Sequence, residues 1–449
     1  MTQTTLQAEA AMPLSHFDPT LNDSVDGAQD IGPAIVAAVR HAQEHGAATL
    51  VIPPGEWEMR SVIDIDLDFD AQGNEVSCHF KIVGAGMNLS KIIMRPWMYP
   101  AKDRIRLDTS KRNSTLEISD LAFLAIGQGM QEDTFLLRSR AVRRGGQMQR
   151  TAVIRNVLVM GYDDYHGGGS REYFRNLFDL SCHNRPLIEN LVTDAGTNEN
   201  VYTGSDWSDD SDLWTVDRAL VLDGAYAPEV DQCIFSRARY GIICRGNIPE
   251  TETSPIDFTY AADDEGGQPE VGVFTNNRFP TCILGLVWHR DGQEPGLSVR
   301  GNFFDFRDYG AYVKGARMGE ILNNTFVQKV VDEAEYPTRT NPKDILLNDV
   351  DGLLIEHNFF QGGNPVQGTP DPMRIAIDIH CDDPATEQTQ DVIVGTNYVA
   401  QAAVLERYCR KMANTGALYY KDPVVAGSAT VGQPMLLEAA ATIKHTPYA

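Results

Sequence analysis

Six short segments place a polar side chain at the same step: Asp223, Arg245, His289, Lys314, Asn348 and His380. Each is the fifth residue of its segment, the six being Ala219–Asp223, Gly241–Arg245, Gly285–His289, Gly310–Lys314, Asp344–Asn348 and Ala376–His380. If the segments are stacked strands, these side chains form a file with members about 4.8 Å apart. Such a file suits a groove that follows a chain of sugar rings by hydrogen bonds and charge. A solvated sheet face would also be polar here, so the file alone does not choose between the two. Carboxylates lie around it: Asp291 close behind His289, Asp305 and Asp308 with Arg307 in the turn that follows, and Asp378 on the face of His380. Glycoside hydrolysis needs two carboxyl groups about 5 to 10 Å apart, whereas a lyase or epimerase needs a base beside a sugar carbon and a cation to neutralise a uronate. Asp291, Asp305, Asp308 and Asp378 are therefore the candidate acids and bases. Asp223, Arg245, His289, Lys314 and His380 are the candidate substrate ligands.

An insertion between coils ahead of the first of these segments, Gly204 to Trp214, combines Asp206, Asp209, Asp210 and Asp212 with Trp207 and Trp214. Indole faces stack on sugar rings and clustered Asp suits Ca²⁺, so Trp207 and Trp214 join the candidate ligands and Ca²⁺ is the ion this loop could hold. A solvated acidic loop is the competing reading. His166-Gly167-Gly168-Gly169 has the look of an oxyanion-hole loop, but no Gly-x-Ser-x-Gly accompanies it, so Asp163–Ser170 reads as a flexible loop. No other cofactor or metal is implied.

The elements that must position these groups follow from period-two alternation. Leu220, Ile242, Leu286, Ala311, Ile345 and Ile377 form one inward column, and Leu222, Cys244, Trp288, Val313, Leu347 and Ile379 a second. Between the inward columns an outward one reads Val221, Ile243, Val287, Tyr312, Leu346 and Asp378, apolar in five of six places. A face like that needs a cover, either an insertion or another subunit. From about Ile118 the chain also repeats an Asn followed two places on by an apolar residue: Asn156/Leu158, Asn190/Val192, Asn277/Phe279, Asn302/Phe304, Asn324/Phe326, Asn358/Phe360 and Asn397/Val399, with Cys233/Phe235 keeping the position without the Asn. A solenoid repeats this way, because Asn tolerates a left-handed turn and its amide can bond to the same residue one coil up.

At the N-terminal end, Asp30 to Gly46 reads as one helix, with Asp30 to cap it, Pro33 in the first turn, an apolar stripe and a terminal Gly46. Thr49-Leu50-Val51-Ile52 then reads as a strand, ended by Pro53-Pro54-Gly55, after which Glu56-Trp57 resumes the alternation. The string from Asp26 through Asp30, Ala34-Ile35, Gly46 and Leu50 to Trp57 resembles the opening of pectate-lyase-like β-helix proteins. These include phage tailspikes, polysaccharide lyases, glycosidases and epimerases. The resemblance implies an all-β, right-handed parallel β-helix with a short N-terminal capping α-helix that shields the open edge. It also implies trimeric association and makes a second subunit the expected cover of the outward apolar column. The expected organisation is an arm over 1–29, the cap and first coils over 30–117, the β-helix body over 118–408 and a tail over 409–449. Arg60-Ser61 and the coil from Gly224 to Cys244 are similar to inulin fructotransferases, trimeric β-helix enzymes that use an Asp and a Glu. Gln232 and Ile243 stand at the corresponding positions, so that chemistry is not implied.

Composition narrows the partners. A net charge of −24 excludes a phosphate backbone as ligand, since nucleic acid needs clustered Lys and Arg. No stretch is apolar enough to span a bilayer, and Met1 to Asp30 lacks a basic region followed by an apolar run. No signal peptide is expected, and synthesis in a cytoplasm fits either a virion protein or a cytosolic or lysis-released enzyme. The seven cysteines are scattered without paired spacing and read as buried free thiols. The functional expectation is binding and cleavage of a polysaccharide by a glycoside hydrolase or polysaccharide lyase, with a non-catalytic tailspike or other receptor-binding virion protein as its rival.

Overall fold

The computed structural model describes residues 11–18, 30–99, 101–111, 113–127, 134–141, 149–167, 172–194, 216–246, 269–328, 342–362, 374–381, 389–400, 403–411, 416–437 and 443–444. Two compact units divide the chain, Met1–Thr197 and Asn198–Ala449. Each is a run of parallel β-helix coils.

The first unit opens with a helix, Gly32–His45, whose Ala34, Ile35, Ala38, Val39 and Ala42 are buried. Pro33 occupies its first turn, and Gly46 ends it with a left-handed backbone (φ 87°) that lets its N–H return to Ala42 O. Asp30 sits one step outside the expected capping place, since Ile31 is the N-cap residue. Its carboxylate accepts from the N–H of Gly32 and of Arg60 and from Ser61 Oγ, so it ties the start of the helix to the chain thirty residues on. Ala47–Val51 follows at once and pairs with Ala11–Pro13 on one side and His79–Val83 on the other. The ladder continues through Thr115–Ala125, Ala152–Gly161 and Leu187–Asp194. A second runs from Gly55–Met59 to Ser90–Met94, and a third from Ile63–Asp66 through Ile105–Asp108 and Leu137–Arg138 to Asn176–Asp179. Tyr162–Tyr165 is a helical turn where the sequence suggests a loop. It is held because Tyr162 Oη donates to Glu56 and His166 Nε2 lies 3.1 Å from the same carboxylate.

In the second unit the six aligned segments are neighbouring parallel strands, paired without slip. Leu220 lies opposite Ile242, then Leu286, Ala311, Ile345 and Ile377 in turn, and Cys244, Trp288, Val313, Leu347 and Ile379 follow one another likewise. All of these side chains are buried, as is Leu222. The run extends one coil further, where Cys409 and Arg410 pair with Ile377 and Asp378. Gly241, Gly285 and Gly310 begin their segments for a steric reason. A Cβ on Gly285 would stand 2.5 Å from Phe304 Cδ1, one ring of the interior stack Phe235, Phe279, Phe304, Phe326 and Phe360. At the next place in that glycine column Asp344 is wholly buried and is neutralised by the equally buried Arg374 (2.6 Å).

The repeated Asn does two different jobs. In the first unit Asn156 and Asn190 are themselves left-handed (φ 52° and 51°), and Asn190 Nδ2 donates to Asn156 Oδ1, as Asn156 does to Asp120. In the second unit the left-handed residue is the one before, Asn276, Gly301, Asn323 or His357, and the marker Asn points inward. There Asn277, Asn302, Asn324, Asn358 and Asn397 form a buried ladder in which each Oδ1 accepts both the backbone N–H and the Nδ2–H of the preceding rung at 2.9 to 3.0 Å. Tyr408 Oη receives the last Nδ2. Cys78, Cys182, Cys233, Cys244, Cys282, Cys381 and Cys409 are free thiols, all buried except the half-buried Cys182. Burial pushes the Cys78 thiol up to about 11, so it stays protonated.

Asn324→Ala should lower stability by about 2 to 4 kcal/mol, because it strands two buried donors of Asn302 and takes the Nδ2 donor away from Asn358 Oδ1 and from the Val299 carbonyl, the backbone N–H of residue 324 alone remaining on Asn358. Equilibrium urea unfolding measures it, and a loss below about 0.5 kcal/mol would show that water replaces the rung.

Candidate functional site

The outward side of the six-segment sheet in the second unit carries three adjacent columns. The middle one, Val221, Ile243, Val287, Tyr312 and Leu346, is less than a tenth exposed at every place. The cover expected from a second subunit is thus already present within one chain. Leu284, Val287, Tyr312 and Leu346 form a cluster with Tyr240, Ile283 and Tyr309 packed against it. They make an apolar and aromatic floor on the outside of the coil.

The next place along the middle column changes character completely. Asp378 lies opposite Leu346 and its side chain is fully buried. Lys343 approaches from the column on one side, His380 from the column on the other, and Arg410 from the coil beyond. Arg410 donates to the carboxylate through Nε at 2.7 Å and Nη2 at 2.5 Å, and Lys343 Nζ stands 3.7 Å away. His380 Nε2 is 2.8 Å from Asp378 Oδ2 and 3.0 Å from Arg410 Nη2. Protonated, it donates to the carboxylate; deprotonated, it accepts from the guanidinium. Burial pushes the Asp378 carboxyl up, but hydrogen bonds from His380 and Arg410 outweigh it and hold the group below the usual carboxylate range. Burial pushes the Lys343 ammonium down, against the pull of Asp378 and, more weakly, Asp308. Asp378 is therefore an ionised anchor for the buried Lys343 and the partly exposed His380 and Arg410, a different part from the acid or base expected of it.

Asp308 reaches the same place. It receives two hydrogen bonds from Arg307 (2.9 and 3.0 Å), and the field of its charge is felt both at Lys343 and at Tyr240. Lys343 lies over the Tyr309 ring at 5.2 Å. The floor thus ends in a cluster of Asp308, Arg307, Lys343, Asp378, His380 and Arg410.

The other candidates are distributed elsewhere. Asp223 and Arg245 are both buried and satisfy each other across one coil step, with Arg245 donating at 3.0 and 2.7 Å. They are a structural pair, not an open binding stripe. His289 is buried and stacked on Tyr312 (5.7 Å, 16°), and burial, followed by the charges of Lys314 and Arg245, pushes its imidazole down to about 3, so it is neutral. Asn348 is buried too, which leaves Lys314 and His380 as the members of the polar file that keep part of their surface. Asp305 pairs with Val327 on a different sheet, the one that carries Phe303 and Thr325, so it does not join Asp308. The side chain of Asp291, and Trp207 and Trp214 with their Asp-rich insertion, lie outside the described residues.

Lys343, Arg410, Tyr240 and Tyr309 were not picked out from sequence. Lys343 immediately precedes an aligned segment. The signal for Arg410 lies one coil further along, where Tyr408-Cys409-Arg410-Lys411 repeats the alternation.

The chain matches no protein-family model and no curated protein sequence. Among solved structures it is similar to the A-module of the mannuronan C-5 epimerase AlgE4 of Azotobacter vinelandii (15% identity, TM-score 0.45, 96% of this chain and 100% of that one). It is also similar to tailspike protein 3 of bacteriophage CBA120 (13%, 0.49, 98% and 62%) and to a DFA-IIIase of Arthrobacter chlorophenolicus A6 (14%, 0.48, 96% and 85%). Identities and TM-scores this low assign no activity to this chain.

Asp378→Asn should destabilise the protein by about 2 to 3 kcal/mol, less than the 3 to 5 of a fully buried broken pair because Arg410 and His380 keep about a fifth of their surface. Because the folded carboxyl is depressed, the parent should keep this contribution above about pH 4 and lose it as the pH falls further, while the variant shows no such step. Urea midpoints of the two proteins between pH 3 and pH 7, compared at each pH, read both effects.

Proposed function

We propose that the protein binds a polysaccharide on the outward face of its second unit and cleaves it there. The observation that supports this reading most directly is the join between the aromatic floor and the charged cluster at Asp378. A sugar ring offers an apolar face and an equatorial belt of hydroxyls, and the half-buried Tyr240 and Tyr309 beside Lys343, His380 and Arg410 complement both. His380 has the chemistry to move a proton, since its Nε2 can give one to Asp378 or take up a hydrogen bond from Arg410. Asp308 is the carboxyl at this place that is partly exposed and so suits a second acid or base. Asp291 and Asp305 belong to the proposal as outlying candidates, as do Lys314 as a ligand and, in the insertion, Trp207, Trp214 and a bound Ca²⁺.

A specific observation also favours the rival reading, a receptor-binding virion spike that holds a glycan without cutting it. Asp378, Asp308 and Asp223 are each engaged by an arginine, an arrangement suited to fixed recognition. Incubation with a panel of bacterial capsules and plant and algal glycans, followed for reducing ends and for the absorbance of unsaturated uronates, separates hydrolase, lyase and non-catalytic binder. On a glycan that is cleaved, His380→Ala and Asp308→Asn should each lower turnover by about 10²-fold or more, whereas Asp305→Asn should stay within a few-fold. Turnover that survives both of the first two changes would move the chemistry away from this cluster.

Assembly as a homotrimer is part of the same proposal, with its seam moved. Since the Val221 column is buried, the seam falls on another outward column, where the exposed Phe359 (41%) stacks on Tyr398 and Val424 (47%) follows. Sedimentation velocity at micromolar concentration should give a trimer, and Phe359→Asp should shift it towards monomer. A monomeric parent protein would reject the assembly without touching the glycan reading.

A further inference from the structure

The first unit buries an arginine that no carboxylate among the described residues pairs with. Arg104 leads into the strand Ile105–Asp108, and its backbone is fixed on both sides, the N–H donating to Phe135 O and the carbonyl accepting from Ile63 N–H. Its side chain is wholly enclosed, yet the guanidinium makes one hydrogen bond, from Nη2 to Arg60 O at 3.2 Å. Nε and Nη1 have no partner among the described residues. The nearby carboxylates are engaged elsewhere. Asp103 accepts from Phe135 N–H at 2.7 Å and faces Arg138 Nη1 at 3.5 Å, and Glu58 is taken by Arg60 and Arg95 at 2.7 and 3.0 Å. Asp30 holds Gly32, Arg60 and Ser61. Over the guanidinium lies the ring of Tyr99, its centroid 5.1 Å from Cζ, at the end of the short turn Pro96–Met98.

We propose that Arg104 anchors a carboxylate-binding site in the first unit, with the Tyr99 ring as its movable roof. Burial pushes the guanidinium down, against the influence of Tyr99 and Asp30, but an arginine keeps its proton at neutral pH and cannot escape the cost as a buried lysine would. An aromatic face offsets only part of what an unpaired buried cation costs, and water satisfies hydrogen bonds without supplying charge. A carboxylate supplies both. Its class follows from shape. The ring covers the face of the guanidinium and leaves the edges, where Nε and Nη1 point, and a planar two-oxygen anion lies along such an edge better than a tetrahedral one. Entry is through Tyr99, which is 40% exposed and can swing outward without emptying the core.

The test uses the full chain at pH 7.5 and constant ionic strength, with chloride replaced stepwise by acetate, glucuronate or sulfate and with glucose as a neutral control, followed by thermal melts. Salts move melting temperatures non-specifically, so the readout is the rise of the parent in excess of that of Arg104→Met. The excess should be about 1 to 3 °C at about 100 mM carboxylate, since a ligand held by the folded state alone stabilises it. A response to acetate shows that the free carboxylate suffices, and a response to glucuronate alone shows that an acidic sugar is the source. In chloride, Arg104→Met should melt at or above the parent, because it removes an unpaired buried charge while keeping most of the volume. Tyr99→Ala should respond at several-fold lower carboxylate concentration than the parent, since no roof has to move. No excess in the parent would mean that water alone meets the donors, and it would overturn the proposal. So would an excess as large with sulfate or glucose, a Tyr99→Ala variant that needs as much carboxylate as the parent, or an Arg104→Met variant melting several degrees below the parent in chloride, the sign of a guanidinium already satisfied. None of these outcomes bears on glycan cleavage, which is read in the second unit.

Discussion

In the second unit everything rests on the carboxamide ladder from Asn277 to Asn397. A rung that accepts two hydrogen bonds from the rung before it allows no slip between coils, because a shift of one residue would leave two buried donors without an acceptor at every step. In the low dielectric of the interior these bonds are electrostatically strong, and they are expensive to leave unmade. The parallel stack of Phe279, Phe304, Phe326 and Phe360 beside them is a consequence, since rings two residues beyond aligned rungs must overlap. So are the glycines, which leave room for those rings.

Zero slip inside creates files outside. A residue type that recurs at one step of each coil becomes a column, and a change of type at one coil becomes a site. Asp378 is such a change. A carboxylate placed on the apolar file after Leu346 could not remain charged alone, and the required cations come from both neighbouring coils, Lys343 from the one before and Arg410 from the one after. The cluster therefore exists only while the stacking holds, since Lys343 and Arg410 each stand more than thirty positions from Asp378 in the chain. The aromatic floor depends on the same alignment, because Tyr240 comes from one strand and Tyr309 and Tyr312 from another.

The first unit shows how the open end of such a stack is protected. Ala47–Val51 would present a bare row of backbone donors and acceptors, and Ala11–Pro13 pairs with it while the helix Gly32–His45 closes over the interior through its alanine and branched side chains. Asp30 joins the start of that helix to Arg60 and Ser61 by three hydrogen bonds, so helix and strands are one construction. No helix among the described residues is long and apolar enough to cross a membrane.

The sequence by itself determined the architecture. Period-two alternation in six segments, a repeated Asn and a helix ending at Gly46 are local signals, legible because strand and helix periodicities act over a few residues. The inward columns through Leu286 and Trp288, and the register that aligns them, are written in that alternation. What it could not show is which outward groups meet, because that depends on how deeply each file is covered and on partners several dozen residues away. Asp223 and Arg245 look like members of a binding stripe until they are seen to neutralise each other. Val221 to Leu346 looks like a seam for another subunit until the chain is seen to bury it. Asp378 looks like a catalytic acid until Arg410 and His380 are found on it. Tertiary structure decided these three cases for one physical reason: a side chain's charge state and availability are set by burial and by its nearest opposite charge, and neither is a local property of the sequence.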